Sequence, residues 1–174
     1  SRMDHRGGCG FEDNTGDGAG ILMALPHSFF QKIAKLEFDT SITPGRYAVG
    51  NIFLPQKEEE RQLCQEAISN IVAEEGQKVV GWREVPIDAN GADVGPAARV
   101  AQPFIAQLFI AAGENLQHDQ FERVNYVIRK RFTHLLRNNA SLNERKQVYA
   151  CSLSTKVIVY KGMFLAPNLN KYYP

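Results

Sequence analysis

Reactive and hydrogen-bonding side chains concentrate at the start of this chain. His5-Arg6-Gly7-Gly8-Cys9-Gly10 runs into Asn14-Thr15-Gly16-Asp17-Gly18-Ala19-Gly20, which puts six glycines into the sixteen positions 5–20. Glycine, Asn and Asp together mark a backbone that takes restricted conformations and approaches another surface closely. Arg6 offers a planar fork suited to a carboxylate, and Asp17 stands uncrowded between glycines. The spacing Gly16-x-Gly18-x-Gly20 is superficially that of a phosphate cradle. Such cradles lie between a strand and a helix N-terminus, whereas here the apolar run Ile21 to Leu25 reads as a strand ended by Pro26, with no Gly-Lys-Ser/Thr after it.

Other reactive types are scattered. The three cysteines, Cys9, Cys64 and Cys151, are widely spaced without a Cys-x-x-Cys pair, so reduced thiols are expected in place of a disulfide framework or a cysteine metal site. The four histidines show no i, i+4 pair and no His-Glu-x-x-His pattern, so no metal is assigned. Cys9 is internal and has no free α-amine of its own, which argues against a nucleophile there.

The elements that must position these groups follow from periodicity. Ile21 to Leu25 and Phe104 to Ile110 are uninterrupted apolar runs bounded by Gly and Pro, and read as buried core strands. Pro26 opens a short helix from about His27 to Lys35, with Phe29, Phe30 and Ile33 inward. Arg46 to Leu54 reads as a strand. Glu58-Glu59-Glu60 suits the positive end of a helix with the buried stripe Leu63-Ala67-Ile68-Ile71-Val72, stopped at Gly76, and with Cys64 beside the stripe. Lys78 to Val85 is a strand whose Trp82 anchors packing. Gln107, inside an apolar run, requires a hydrogen-bond partner. Asp119 and Glu122 resemble a capping pair at the start of the longest helix, which carries Phe121, Val124, Ile128, Phe132, Leu135 and Leu136. Val148 to Leu153 and Val157 to Tyr160, either side of Ser154-Thr155-Lys156, read as a hairpin, and a last helical turn begins near Leu169.

With 174 residues, 44% of them hydrophobic, and a formal net charge of +1, the chain has the make-up of one soluble globular domain, 1–174. Near-neutrality gives no basis for a nucleic-acid or anionic-membrane partner. Arg129-Lys130-Arg131 is read as the cationic second half of a helix. No run approaches the roughly 20 apolar residues of a spanning helix. Strands and helices interleave without regular βαβ alternation, which favours α+β.

Four collinear blocks carry a resemblance. The first is His5 to Gly10 with Asn14 to Ile21. The others are Gly81-Trp82-Arg83-Glu84-Val85-Pro86, Gln102-Pro103 through Ile110, and Cys151-Ser152-Leu153-Ser154-Thr155-Lys156 through Met163. Together they resemble the class II glutamine amidotransferase domain of the glutamate synthase family. The His-Arg-Gly part is shared widely among class II amidotransferases, while Thr15 to Gly20 and the Trp82 block narrow the likeness.

That resemblance implies the N-terminal-nucleophile hydrolase architecture, a four-layer αββα sandwich of mainly antiparallel strands. It implies release of ammonia from glutamine by an N-terminal cysteine assisted by its own α-amine. A separate synthase region would then make glutamate from 2-oxoglutarate with FMN and an iron–sulfur cluster, and no cofactor is expected in this chain. By the same likeness Arg6 lies near the nucleophile and helps orient it, while Asp17 and the glycines shape that neighbourhood. The chain begins with Ser1 directly before the His-Arg-Gly block and ends before the family's Asn-Gly oxyanion segment. It is therefore expected to be an internal fragment, inactive by itself, with glutamine and the remaining domains of the synthase as partners. The alternative is a non-catalytic amidotransferase-like binding or scaffold module. The expected setting is reducing, in the cytoplasm or an organellar stroma or matrix, and the electron donor and oligomeric state stay open.

Overall fold

The computed structural model describes residues 18–114 and 116–174. They divide into two compact units. One comprises the described part of the chain up to Leu22 with Val85–Gln102 and Val159–Pro174; the other comprises Met23–Glu84 and Pro103–Ile158.

The larger unit is built on a four-stranded sheet. Its strands are β2 (Tyr47–Leu54), β3 (Lys78–Glu84), β4 (Phe104–Ala111) and β5 (Tyr149–Ser154), in the order β3-β4-β2-β5. All three ladders are antiparallel, with Asn51 opposite Gln107, Arg83 opposite Gln107 and Asn51 opposite Ser152. Because side chains alternate along a strand, the even-numbered positions of β2 and β4 share one face. There Ala48, Ile52, Leu54, Ala106, Leu108 and Ile110 meet α2 (Glu58–Glu74) and α4 (His118–Arg137) through Cys64, Ile68, Ile71, Val72, Phe121, Ile128 and Phe132. The odd positions face α1 (His27–Phe38), where Phe30 and Phe38 both set their rings edge-on to Phe109, at 5.6 and 5.3 Å.

Local chemistry accounts for these limits. Three glutamates open α2 at its positive end, and Gly76, at φ +71°, turns the chain out of it. Trp82 sits on the α2 face and donates its indole N–H to Ser69 Oγ at 3.3 Å. In the smaller unit, α3 (Pro96–Val100) follows a loop held by Arg99, whose guanidinium donates to the Ala89 and Val94 carbonyls. Near the chain's end α5 (Leu169–Tyr172) contributes Tyr172, which packs beside Phe164 with ring centroids 4.8 Å apart.

The α+β expectation, with antiparallel ladders, is met, and Phe104 to Ile110 is a buried strand as the sequence indicates. Several readings are corrected. β1 (Ala19–Ala24) is extended but not buried: Ile21 is 45% and Leu22 66% exposed, because β1 pairs only with β6 (Val157–Gly162) among the described residues. Val148 to Leu153 and Val157 to Tyr160 do not form a hairpin, since β5 pairs with β2 and β6 with β1. The cap of α4 is a reciprocal pair between Gln117 and Gln120, not Asp119 with Glu122. Cys64 is fully buried in the stripe that Leu63, 41% exposed, was expected to join, and Phe29 likewise faces outward at 44%.

Candidate functional site

Arg6, Cys9 and Asp17, with the loop from His5 to Gly16, lie outside the described residues. The described structure begins where that glycine segment enters β1. Gly20 runs so close to β6 that a Cβ there would stand 2.7 Å from Lys161 Cβ and 2.8 Å from the Tyr160 carbonyl oxygen, which requires the absence of a side chain. Just beyond β1, the Leu25 amide donates to the Lys156 carbonyl at 2.8 Å.

Lys156 belongs to the short crossing between β5 and β6, and that crossing is fastened from α4. Glu122 accepts from Ser154 Oγ at 2.6 Å, from the Thr155 amide at 2.8 Å and from Thr155 Oγ1 at 2.6 Å. Ser154 Oγ in turn accepts the amides of Lys156 and Val157 at 3.0 and 3.2 Å. A serine touching a carboxylate suggests a nucleophile and its base. Here the hydroxyl proton is committed to Glu122 and the lone pairs take two amides, so the arrangement holds backbone and has no lone pair left for attack. Burial raises the Glu122 carboxyl, but the hydrogen bonds from Ser154 and Thr155 and the charge of Lys156 outweigh it, and its pKa is lowered.

A second polar constellation crosses the sheet on the α1 face. Arg83, Gln107, Asn51 and Ser152 stand in one register row over β3, β4, β2 and β5. Asn51, Gln107 and Ser152 are each at most 5% exposed. Arg83 donates to Gln107 Oε1 at 2.9 Å and to Glu37 of α1 at 2.9 Å, which supplies the partner Gln107 requires. Three of the sequence blocks singled out above, those of Trp82, Ile105 and Cys151, each contribute one residue to this row. Sequence reading missed it as a unit, although a polar residue in each of three strands, at matching distance from the strand ends, was the available signal. At the start of β2, His27 Nδ1 lies 3.0 Å from the Tyr47 hydroxyl, whose pKa burial pushes up to about 12.

Two cysteines, Cys64 and Cys151, lie among the described residues, and both are thiols outside any disulfide. Cys64 is sealed in the core and burial, chiefly, raises its thiol to about 11, so it withholds the thiolate that attack or iron binding needs. Cys151 is the extra residue where the β2–β5 register shifts, since Ser152 faces Asn51 and Ala150 faces Ile52. No group of three or more His, Cys, Asp and Glu side chains that could hold a metal occurs among the described residues, and no helix there is long and apolar enough to cross a membrane.

Residues 1–174 match the class-II glutamine amidotransferases, and the chain belongs to that family. Its relatives narrow the setting. The chain is 39% identical to the glutamate synthase [NADPH] large chain of Bacillus subtilis, over 99% of this chain and 11% of that one. It is 38% identical to ferredoxin-dependent glutamate synthase 1 of Arabidopsis thaliana, chloroplastic/mitochondrial, over 98% of this chain and 10% of that one. It is 34% identical to glutamate synthase [NADH] of Saccharomyces cerevisiae, over 99% and 8%. The chain thus spans about a tenth of the length of these relatives. Their names specify three different electron donors, so the likeness of this region does not select one.

Proposed function

We propose that this chain is part of the glutaminase domain of a glutamate synthase, in which glutamine yields ammonia for reductive synthesis of glutamate from 2-oxoglutarate. The observation that carries the reading is the match of residues 1–174 to class-II glutamine amidotransferases together with glutamate synthase relatives aligned along 98–99% of the chain. In this reading the thiolate of an N-terminal cysteine adds to the glutamine amide carbon, ammonia leaves, and water hydrolyses the thioester to glutamate. Arg6 would help orient that nucleophile. FMN and the iron–sulfur cluster are assigned to other regions of the longer protein, which together with glutamine are the partners.

In this reading the covalent step belongs to the N-terminal cysteine, and neither Arg6 nor Cys9 can take over its role as nucleophile. The test compares ammonia release by this chain with that of a longer one carrying an N-terminal cysteine and a downstream Asn-Gly. Activity in the longer chain, retained in its Cys9→Ser variant, supports the reading. Ammonia from the present chain that disappears on Cys9→Ser overturns it, and a longer chain that binds glutamine without cleaving it favours a binding module.

A further inference from the structure

The outward surfaces of α2 and α4 carry opposite charge. Along α2, Glu59, Leu63 and Glu66 fall at i, i+4 and i+7 and are exposed. Along α4, Arg123, Tyr126, Val127 and Lys130 fall at i, i+3, i+4 and i+7 and are also exposed. Each stripe lies opposite its helix's buried residues, and both helices cover the same face of the four-stranded sheet. Apolar surface is embedded in both: Leu63 is 41%, Val127 40% and Tyr126 54% exposed, with the cations of Arg129 and Lys130 5.7 and 5.9 Å from the Tyr126 ring. The acidic groups of α4 do not cancel its stripe, since Glu122 is held by Ser154 and Thr155 and Asp119 pairs with Lys156. Within the chain, Arg131 of α4 already bridges to Glu74 and Glu75 at the end of α2.

We propose that this α2–α4 face docks a second copy of the chain, the acidic stripe of α2 on each copy meeting the basic stripe of α4 on the other. A two-fold axis makes such a patch self-complementary, so each contact occurs twice. Tyr and Arg around apolar groups are the composition favoured at contact centres. Helices of 17 and 20 residues side by side offer roughly 500 Å² per copy, the low end for specific association. The dimer is therefore weak, concentration-dependent and weakened by salt.

Sedimentation of the full 174-residue chain across a concentration series, with and without salt, tests this together with two charge-reversed variants. Arg123→Glu/Lys130→Glu makes both stripes acidic and Glu59→Lys/Glu66→Lys makes both basic. Each variant alone should associate at least about tenfold more weakly than the parent, with unchanged circular dichroism showing that it folds. Mixed in equal amounts, the two should form a heterodimer, since both contacts are then complementary. A parent chain that stays monomeric up to its solubility limit, variants that self-associate as tightly as the parent, or a mixture that remains monomeric would each overturn the proposal.

Discussion

β4 and β1 are both apolar strands, and their surroundings differ in every direction. β4 lies between β3 and β2 with α1 over one face and α2 and α4 over the other, so Leu108, Phe109 and Ile110 are fully buried. β1 has β6 as its one strand partner among the described residues, and Ile21, Leu22 and Met23 stay 38–66% exposed. An apolar run therefore secures extended backbone in both places, but burial comes from neighbours on the edges and faces. Full burial of such a side chain is worth about 1.5–3 kcal/mol, and β4 gains it where β1 gains little.

Core truncation is the strongest way to break this contrast. Phe109→Ala should cost about 3–5 kcal/mol in urea unfolding, because it removes the ring that Phe30 and Phe38 contact; a loss as small as a surface substitution's would mean the α1 layer packs elsewhere. Arg83→Leu should cost about 1–3 kcal/mol, since buried Gln107 loses a charged donor. Combining it with Gln107→Leu should cost less than the two single changes added together, and simple additivity would deny the row its coupling.

Glu122→Gln should cost about 1–2 kcal/mol at neutral pH by replacing an acceptor of three hydrogen bonds with an amide. The folded pKa of Glu122 lies below its ordinary value of 4.5. The stabilisation is thus fully present above the unfolded-state value and is lost as pH falls through the folded one. Stability measured through that window should fall less steeply in the variant, and parallel curves would remove Glu122 from the account. The smallest effect belongs to β1: Leu22→Ser should change stability by no more than about 0.5 kcal/mol, and a core-sized loss would show that this strand is covered after all.

Much of the larger unit was legible because its elements are long and periodic: β2, α2, β4 and α4 stand close to where spacing put them. What escaped depends on distant partners. Ser154-Thr155-Lys156 has the composition of a tight turn, but its hydroxyls answer to Glu122, 32 and 33 positions earlier, and the chain leaves one sheet there to join another. The same commitment removes Glu122 from the cap, which Gln117 and Gln120 provide. Gln107 announced the need for a partner without revealing Arg83, because cross-strand register is not written in either strand alone. Of the candidate site, the resemblance singled out Arg6 and Asp17, while the register row surfaced only once the strands were aligned.

The strand order β3-β4-β2-β5 also has a consequence in time. β2 is the first of these strands to leave a ribosome, yet its two neighbours are β4, beginning at Phe104, and β5, beginning at Tyr149. Until those two strands have emerged its hydrogen-bonding edges are open, which is when unpaired strands attract chaperones or one another. A nascent chain halted before Tyr149 should leave β2 amides open to exchange along one edge. Release of the segment through Ser154 should close that edge abruptly, and equal protection in both nascent chains would show that the sheet does not wait for its last strand.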